Sequence, residues 1–88
     1  MQIVDFEWDE DNIEHIARHG VNPEEVEDAC YDKPYVMKGR NGTYLIYGQT
    51  GDGRYLLTVA RYKGRGIIRV ITARDMNDTE RRFCRERR

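Results

Sequence analysis

The chain has 88 residues, of which 39% are hydrophobic and 35% charged, and 15 Lys and Arg nearly balance 16 Asp and Glu for a net charge of −1. This length allows one small domain, and the hydrophobic fraction is too high for a disordered charged tail. No stretch approaches the roughly 18 uncharged apolar residues that a membrane-spanning helix needs, so we expect a cytoplasmic protein without membrane contact.

The first predicted elements are a short strand and a helix. The apolar residues Ile3, Val4 and Phe6 leave open a short N-terminal strand. Asp9 is a candidate N-cap, apolar residues recur after it at helical spacing, and Gly20 suits a helix C-terminus. We therefore predict a helix over residues 10–19.

A second short helix has a clearer N-terminal signal. Asn22 can cap it, Pro23 suits its first position, and Glu25 can complete a capping box. This pattern predicts a helix that runs to Tyr31. Its apolar stripe is thin, which favours packing on a larger surface.

From residue 35 onward the apolar pattern becomes that of strands separated by glycine-containing turns. The predicted strands cover residues 35–38, 43–49, 54–62 and 67–73. They form a four-stranded antiparallel meander. In the middle strands apolar residues stand at both odd and even positions, so apolar side chains point to both faces of the sheet. Each face therefore needs partial cover.

The last predicted helix covers residues 78–87. Asn77 stands at its N-cap position and Glu80 where a capping box requires it. This helix is arginine-rich and almost entirely polar, so it cannot be a core helix. We therefore expect one α+β domain over residues 1–88, with an antiparallel four-stranded sheet, a fifth short N-terminal strand left open, two N-terminal helices and one C-terminal helix.

Cysteines and histidines offer little for a metal or a disulfide. Cys30 and Cys84 lie far apart without CxxC spacing, so we expect reduced, packed thiols. His15 and His19 share a helix face but lack a third ligand in the sequence, and we expect no metal and no cofactor. Both histidines stay open as general acid or base, and His19 also as a cap of the helix C-terminus.

The small net charge conceals a division of sign along the chain. Residues 1–37 hold 11 acidic and 2 basic residues for a net charge of −9, and residues 38–88 hold 13 basic and 5 acidic residues for +8. This predicts an acidic helical layer on one side and a basic surface of strands and last helix on the other. The alternative is that the two halves neutralise each other across the fold.

Arginines recur along the predicted strands and turns, interleaved with tyrosines, which is typical of a surface that binds RNA phosphates and bases. By simple alternation Arg61 shares a face with Leu57, and Arg69 shares a face with Ala73. Each is therefore expected at the rim of an apolar row. A solvated charged strand face is the alternative explanation.

RNA cleavage without a metal would be chemically consistent with such a basic surface. The 2′-hydroxyl can attack the adjacent phosphorus when a base removes its proton, an acid protonates the leaving oxygen and cations stabilise the developing charge. The base or acid would be His15, His19, a tyrosine or a carboxylate such as Glu80. The sequence does not choose among them.

Several short motifs together resemble the BrnT family of bacterial toxins. The residues that carry the resemblance are Phe6-Glu7-Trp8-Asp9, His19-Gly20-Val21 with Glu24-Glu25, Gly53-Arg54, and Ile71-Thr72-Ala73-Arg74 with Glu80-Arg81-Arg82. The resemblance implies a RelE/ParE-like ribonuclease fold and a toxin of a type II toxin-antitoxin system that cleaves mRNA and inhibits translation. It also implies a neutralising BrnA-like antitoxin, encoded nearby, that binds DNA.

The positions that match the family motifs are His19, Arg54, Arg74, Glu80 and Arg81, and the basic pattern adds Arg61, Arg69 and His15. The expected catalytic residues are His19, Arg61, Arg74 and Glu80. The expected RNA-binding residues are Arg54, Arg69, Arg81 and His15.

Two leading hypotheses about function follow, and a third stays open. The first is a metal-independent endoribonuclease toxin with RNA as its substrate. The alternative is a catalytically inactive toxin-fold protein that acts by binding an antitoxin-like regulator, and a small nucleic-acid-binding module outside toxin systems also stays open. Both leading hypotheses expect an antitoxin partner and a homodimer or a toxin-antitoxin hetero-oligomer.

Overall fold

The computed structural model describes residues 1–88, which form a five-stranded mixed sheet with helices on both faces. The elements are β1 (Asp5–Glu7), α1 (Glu10–Ala17), α2 (Pro23–Tyr31), β2 (Tyr35–Lys38), β3 (Thr43–Gln49), β4 (Tyr55–Gly64), β5 (Ile67–Asp75) and α3 (Asp78–Arg87). The strands lie in the order β1-β5-β4-β3-β2. None of the three helices has the length and hydropathy to cross a membrane.

The α+β class and the antiparallel meander of β2 to β5 are confirmed. The expectation of a wholly antiparallel sheet is wrong, because the short strand left open at the N-terminus is present and pairs with β5 in parallel. Asp5 lies opposite Ile67 and Glu7 opposite Arg69. The sheet is mixed since β5, the last strand of the meander, runs in the direction of β1.

Capping residues begin the helices where the sequence predicts. The Asn22 side chain accepts a hydrogen bond from the backbone N–H of Glu25, whose carboxylate accepts from the Asn22 N–H in return. Asn77 and Glu80 repeat this capping box at α3. These reciprocal bonds satisfy N–H groups that the first turn of a helix leaves unpaired.

Helix α1 is fixed to the sheet by a buried amide. The Asn12 side chain donates to the carbonyl oxygens of Glu7 and Val70 at 2.9 and 3.0 Å. The helix ends at Ala17, earlier than the predicted residue 19, because the chain already turns toward Gly20, which has a φ of 71°. Since such a φ favours glycine, the predicted C-terminal signal is correct although the boundary is not.

Two apolar clusters lie on opposite faces of the sheet. The larger cluster lies under α1 and α2 and includes Ile16, Val26, Ile46, Leu56, Ile68 and Ala73. The smaller cluster lies under α3 and consists of Tyr47, Leu57, Met76 and Cys84. Both faces are thus covered, as the strand pattern predicts, but α3 covers only part of the second face.

The two cysteines are buried and free, one in each apolar cluster, as expected. Burial raises the pKa of the Cys30 thiol to about 12. Burial also raises the pKa of Cys84. Since the thiolate is the reactive form, neither side chain is placed to act as a nucleophile.

A bulge in β5 changes which of its side chains share a face. Ile71 is an extra residue between two positions that pair regularly with β4. The prediction that Arg69 shares a face with Ala73 is therefore wrong. Ala73 is buried under α1 and α2, whereas Arg69 pairs with Arg61 on the opposite face.

Candidate functional site

Three of the predicted arginines lie on the sheet face opposite α1 and α2, which we name the arginine face. Arg61 alternates with Leu57, which packs under α3, so the two side chains share this face. In β5, Arg69 pairs with Arg61, and Arg74 pairs with Leu57. The extra residue Ile71 is what brings Arg69 and Arg74, five positions apart, to one face.

The arginine face offers two separate positions to an anion. Arg61 pairs with Arg69, and Leu57, four residues earlier in β4, pairs with Arg74. At the rise of an extended strand, these two pairs lie about 13 Å apart. Arg61 is exposed, forms no ion pair and donates to the carbonyl oxygen of Asn41. Its charge is thus available to a ligand.

Arg74 and Glu80 form a bidentate ion pair on this face. Both guanidinium Nη atoms of Arg74 donate to the Glu80 carboxylate at 2.8 Å. The Glu80 side chain is only 19% exposed, and it also accepts from the backbone N–H of Asn77 at the start of α3. The carboxylate occupies the fork of Arg74 in the bidentate geometry that a phosphate takes.

The charges at this pair decide which protonation states are present. The hydrogen-bonded Arg74 guanidinium holds the pKa of Glu80 below its usual range, so the carboxylate is ionised at neutral pH. Tyr47 lies in the same row of the sheet, separated from Arg74 by Leu57. Burial, and next the charge of Glu80, raises the pKa of the Tyr47 phenol, which therefore stays protonated. A cation, a carboxylate base and a protonated phenol thus lie at one end of the arginine face.

Arg69 is held by two acids of the N-terminal half. It donates to Asp9 at 2.8 Å and to Glu7 at 3.3 Å. The hydrogen bond from Arg69 lowers the pKa of Asp9. The sequence identified Asp9 only as a helix cap, because an ion pair between residues 60 positions apart leaves no local signal.

Arg54 lies outside the arginine face. Its Nε and Nη2 atoms donate to Asp75 at 2.7 and 3.2 Å, and its Nη1 atom donates to Glu25 and to the carbonyl oxygen of Gly20, both at 2.9 Å. The hydrogen bonds to Asp75 raise the pKa of Arg54. All three of its nitrogens therefore have protein acceptors.

Helix α3 adds further arginines to the arginine face. Arg81 forms an ion pair with Asp78 one turn earlier, whereas Arg82 and Arg85 are exposed and form none. The helix is therefore a basic element on the side of the sheet opposite the acidic helices, as predicted. The separation is incomplete, because Arg54 and Arg69 pair with acids from residues 1–37.

The histidines belong to α1 and to the turn that follows it, and α1 packs on the sheet face opposite the one that carries α3 and the Arg74–Glu80 pair. Their rings are 5.8 Å apart on the exposed side of α1 and of the turn that follows it. His15 and Arg69 line an open groove of about 220 Å³ beside Ile71. No hydrogen bond joins His15 or His19 to Arg74 or Glu80, and no three potential metal ligands converge in residues 1–88.

The ion pairs of the arginines predict a loss of stability in acid. Hydrogen bonds from Arg74, Arg54 and Arg69 lower the folded-state pKa values of their carboxylate partners Glu80, Asp75 and Asp9. A carboxyl whose folded pKa lies below its unfolded value stabilises the fold at every pH above about 4, and this contribution disappears as the pH falls through the folded value.

Thermal unfolding followed by circular dichroism should therefore show a midpoint that falls steadily below about pH 4. Glu80→Gln should make this fall smaller, because one of the three carboxyls no longer titrates. A midpoint that is independent of pH in this window would mean that the ion pairs do not form in solution.

Comparison with known families supplies a match to most of the chain. Residues 8–80 match the family model described as ribonuclease toxin, BrnT, of type II toxin-antitoxin system. The matched segment extends from Trp8 to Glu80 and so includes the arginines of the sheet and the first turn of α3. A search of curated proteins gives no match.

Proposed function

The chain belongs to the BrnT family of ribonuclease toxins of type II toxin-antitoxin systems, and from this premise we propose that it is a metal-independent endoribonuclease that cleaves mRNA and inhibits translation. The family implies an RNA target and an antitoxin protein as partner. The observation that carries the proposed site is the bidentate Arg74–Glu80 pair, in which a guanidinium fork of the geometry that suits a phosphate contacts an ionised carboxylate.

The rest of the arginine face supports binding of an RNA backbone at more than one point. Arg61 lies about 13 Å from the row of Arg74 and has no competing carboxylate. Arg82 and Arg85 add two unpaired charges from α3. A chain of phosphates can therefore contact Arg61, Arg74 and α3 together, and Arg81 joins them when it leaves Asp78.

Cleavage follows from an exchange of partners at Arg74. The scissile phosphate takes the guanidinium, which leaves the Glu80 carboxylate without the cation that lowers its pKa. Glu80 then accepts the proton of the 2′-hydroxyl, and O2′ attacks phosphorus as the bond to the 5′ oxygen breaks. Arg74 stabilises the charge of the transition state, and Tyr47 donates the proton that the 5′ oxygen takes up. The products are a 2′,3′-cyclic phosphate and a 5′-hydroxyl.

The histidines have a different place in this proposal. His15 contacts RNA at the groove beside Ile71 together with Arg69, whose acidic partners Glu7 and Asp9 must first release it. Proton transfer by His19 requires an RNA that extends from that groove to Arg74. It remains a prediction.

The finer family expectations belong to the same proposal. We propose that the α+β architecture is RelE/ParE-like and that residues 1–88 act as one toxin domain. The partner is a BrnA-like antitoxin encoded nearby, which binds the toxin in a hetero-oligomer or binds a toxin homodimer.

Purified protein tests the proposed function with a long single-stranded RNA in excess EDTA. We expect the RNA to be fragmented at a rate that EDTA does not change. Intact RNA in EDTA together with fragmentation in Mg²⁺ would contradict the metal-independent mechanism. Intact RNA under both conditions would contradict the nuclease.

A specific observation favours the second candidate function, an inactive partner of an antitoxin-like regulator. Carboxylates of the chain itself occupy Arg54, Arg69 and Arg74. If RNA cannot displace these carboxylates, Arg74 binds no scissile phosphate, although the charge of Arg61 stays available. This candidate predicts intact RNA and no growth arrest on expression, but a tight complex with the antitoxin.

A further inference from the structure

We propose that Arg54 is a positioning residue and not an RNA ligand. Through its ion pair with Asp75 it fixes the junction of β5 and α3, and it thereby orients Arg74 toward Glu80. This inference rests on the proposed function, because Arg74 and Glu80 are the groups that it positions. Arg54 itself touches neither of them.

The contacts of Arg54 join three separate parts of the chain. It reaches the turn after α1 through the Gly20 carbonyl, the first turn of α2 through Glu25, and the end of β5 through both carboxylate oxygens of Asp75. A bidentate pair constrains direction as well as distance. The last residue of β5 is therefore held against both N-terminal helices.

Asp75 transmits this constraint to the proposed site. Its side chain faces Arg54, whereas its backbone carbonyl accepts from the Nη1 atom of the neighbouring Arg74 at 3.1 Å. The next residue, Met76, donates its N–H to the carbonyl of Tyr55 at 3.1 Å. The guanidinium that holds Glu80 is thus also bonded to the backbone that Arg54 fixes.

The surroundings of Arg54 disfavour a phosphate. It lines a surface depression of about 560 Å³ whose other lining residues include four carboxylates, those of Glu24, Glu25, Asp28 and Asp52. These negative charges repel an RNA backbone, and no nitrogen of Arg54 is free to receive one. The strand pattern alone gives no reason to assign different roles to Arg54 and Arg61, since both lie in the same predicted strand.

Arg54→Gln separates positioning from binding in the RNA cleavage assay. We expect kcat to fall by about 10- to 100-fold with KM unchanged, because a displaced Arg74 still binds RNA but in a poorer geometry. Arg54→Lys should restore part of kcat. The slope of log Kd against log salt should equal that of the wild type, whereas Arg61→Gln should reduce it by about 0.7. A raised KM and a reduced slope in Arg54→Gln, with kcat unchanged, would overturn the proposal.

Asp75→Asn should reproduce the effect of Arg54→Gln and serves in its place if Arg54→Gln does not fold. Hydrogen exchange at the amides of Met76, Glu80 and Arg81 tests the positioning without RNA. We expect faster exchange there in both variants, and unchanged exchange would overturn the proposal. If the wild-type protein cleaves no RNA while this exchange is faster, the proposed function fails and the positioning stands.

Discussion

Replacement of Arg74 by Gln should reduce the rate of RNA cleavage by about a hundred- to a thousand-fold. Arg74 carries the charge at the site where the phosphorane would form, and its two Nη atoms already hold a carboxylate in a phosphate-like geometry. Glutamine keeps a polar side chain, but it is shorter than arginine and has neither the charge nor the two Nη donors. The measurement is the initial rate of fragmentation of a labelled RNA at saturating protein.

Arg18→Gln is the matched control for this variant. Arg18 lies at the end of α1, is exposed and pairs only with Glu14 on the same helix. The control removes one positive charge on the other side of the sheet, so it should leave the cleavage rate within about twofold of the wild type, as expected for an interaction worth well under 1 kcal/mol. Equal cleavage rates for Arg74→Gln and the wild type would show that Arg74 has no role in catalysis.

Replacement of Glu80 by Gln should separate catalysis from helix capping. Glutamine also completes a capping box at the third helical position, and its amide oxygen still accepts from Arg74, so α3 should stay in place. The proton acceptor is lost. We expect cleavage to fall by about a hundred- to ten-thousand-fold, with RNA bound as tightly as by the wild type or more tightly.

Glu24→Gln is the control for Glu80→Gln. Glu24 is an exposed acid in the first turn of α2 and forms no ion pair. It should cleave RNA at the wild-type rate. If Glu80→Gln also cleaves at that rate, Glu80 only holds Arg74 and α3, and the base must lie elsewhere, with the histidines as the next candidates.

Local signals explain which parts of the fold the sequence could predict. The capping boxes of α2 and α3, the glycine turns and the alternating strands act over a few residues, so α2, β2, β3 and α3 begin and end where expected. The pairing of β1 could not be predicted in this way. It depends on β5, which follows some 60 residues later, and only three residues form it.

The candidate site was predictable in its residues but not in its arrangement. The motifs named Arg74 and Glu80, and the helix signal placed Glu80 at the third position of α3. Their contact depends on the bulge at Ile71, which turns Arg74 to the face that α3 covers. Alternation along the sequence cannot reveal an extra residue, so simple periodicity predicted the wrong sheet face for Arg69.

The division of charge along the chain was a sounder guide to the helices than to the sheet. Acids lie on α1 and α2 and arginines on α3, on opposite faces. Arg54 and Arg69, by contrast, pair with acids of residues 1–37, and neither pairing has a sequence signature. The exposure of each arginine side chain and its ion-pair partner identify which arginines are available to RNA, whereas a count of basic residues does not.

The ends of the RNA fragments test the proposed mechanism most directly. RNA cleaved by the wild-type protein in EDTA should carry 2′,3′-cyclic phosphates and 5′-hydroxyls, because the 2′-hydroxyl attacks and no water enters the step. Mass spectrometry of the fragments distinguishes these ends from others. Fragments with 5′-phosphates and 3′-hydroxyls would contradict attack by the 2′-hydroxyl and, with it, the roles assigned to Arg74 and Glu80.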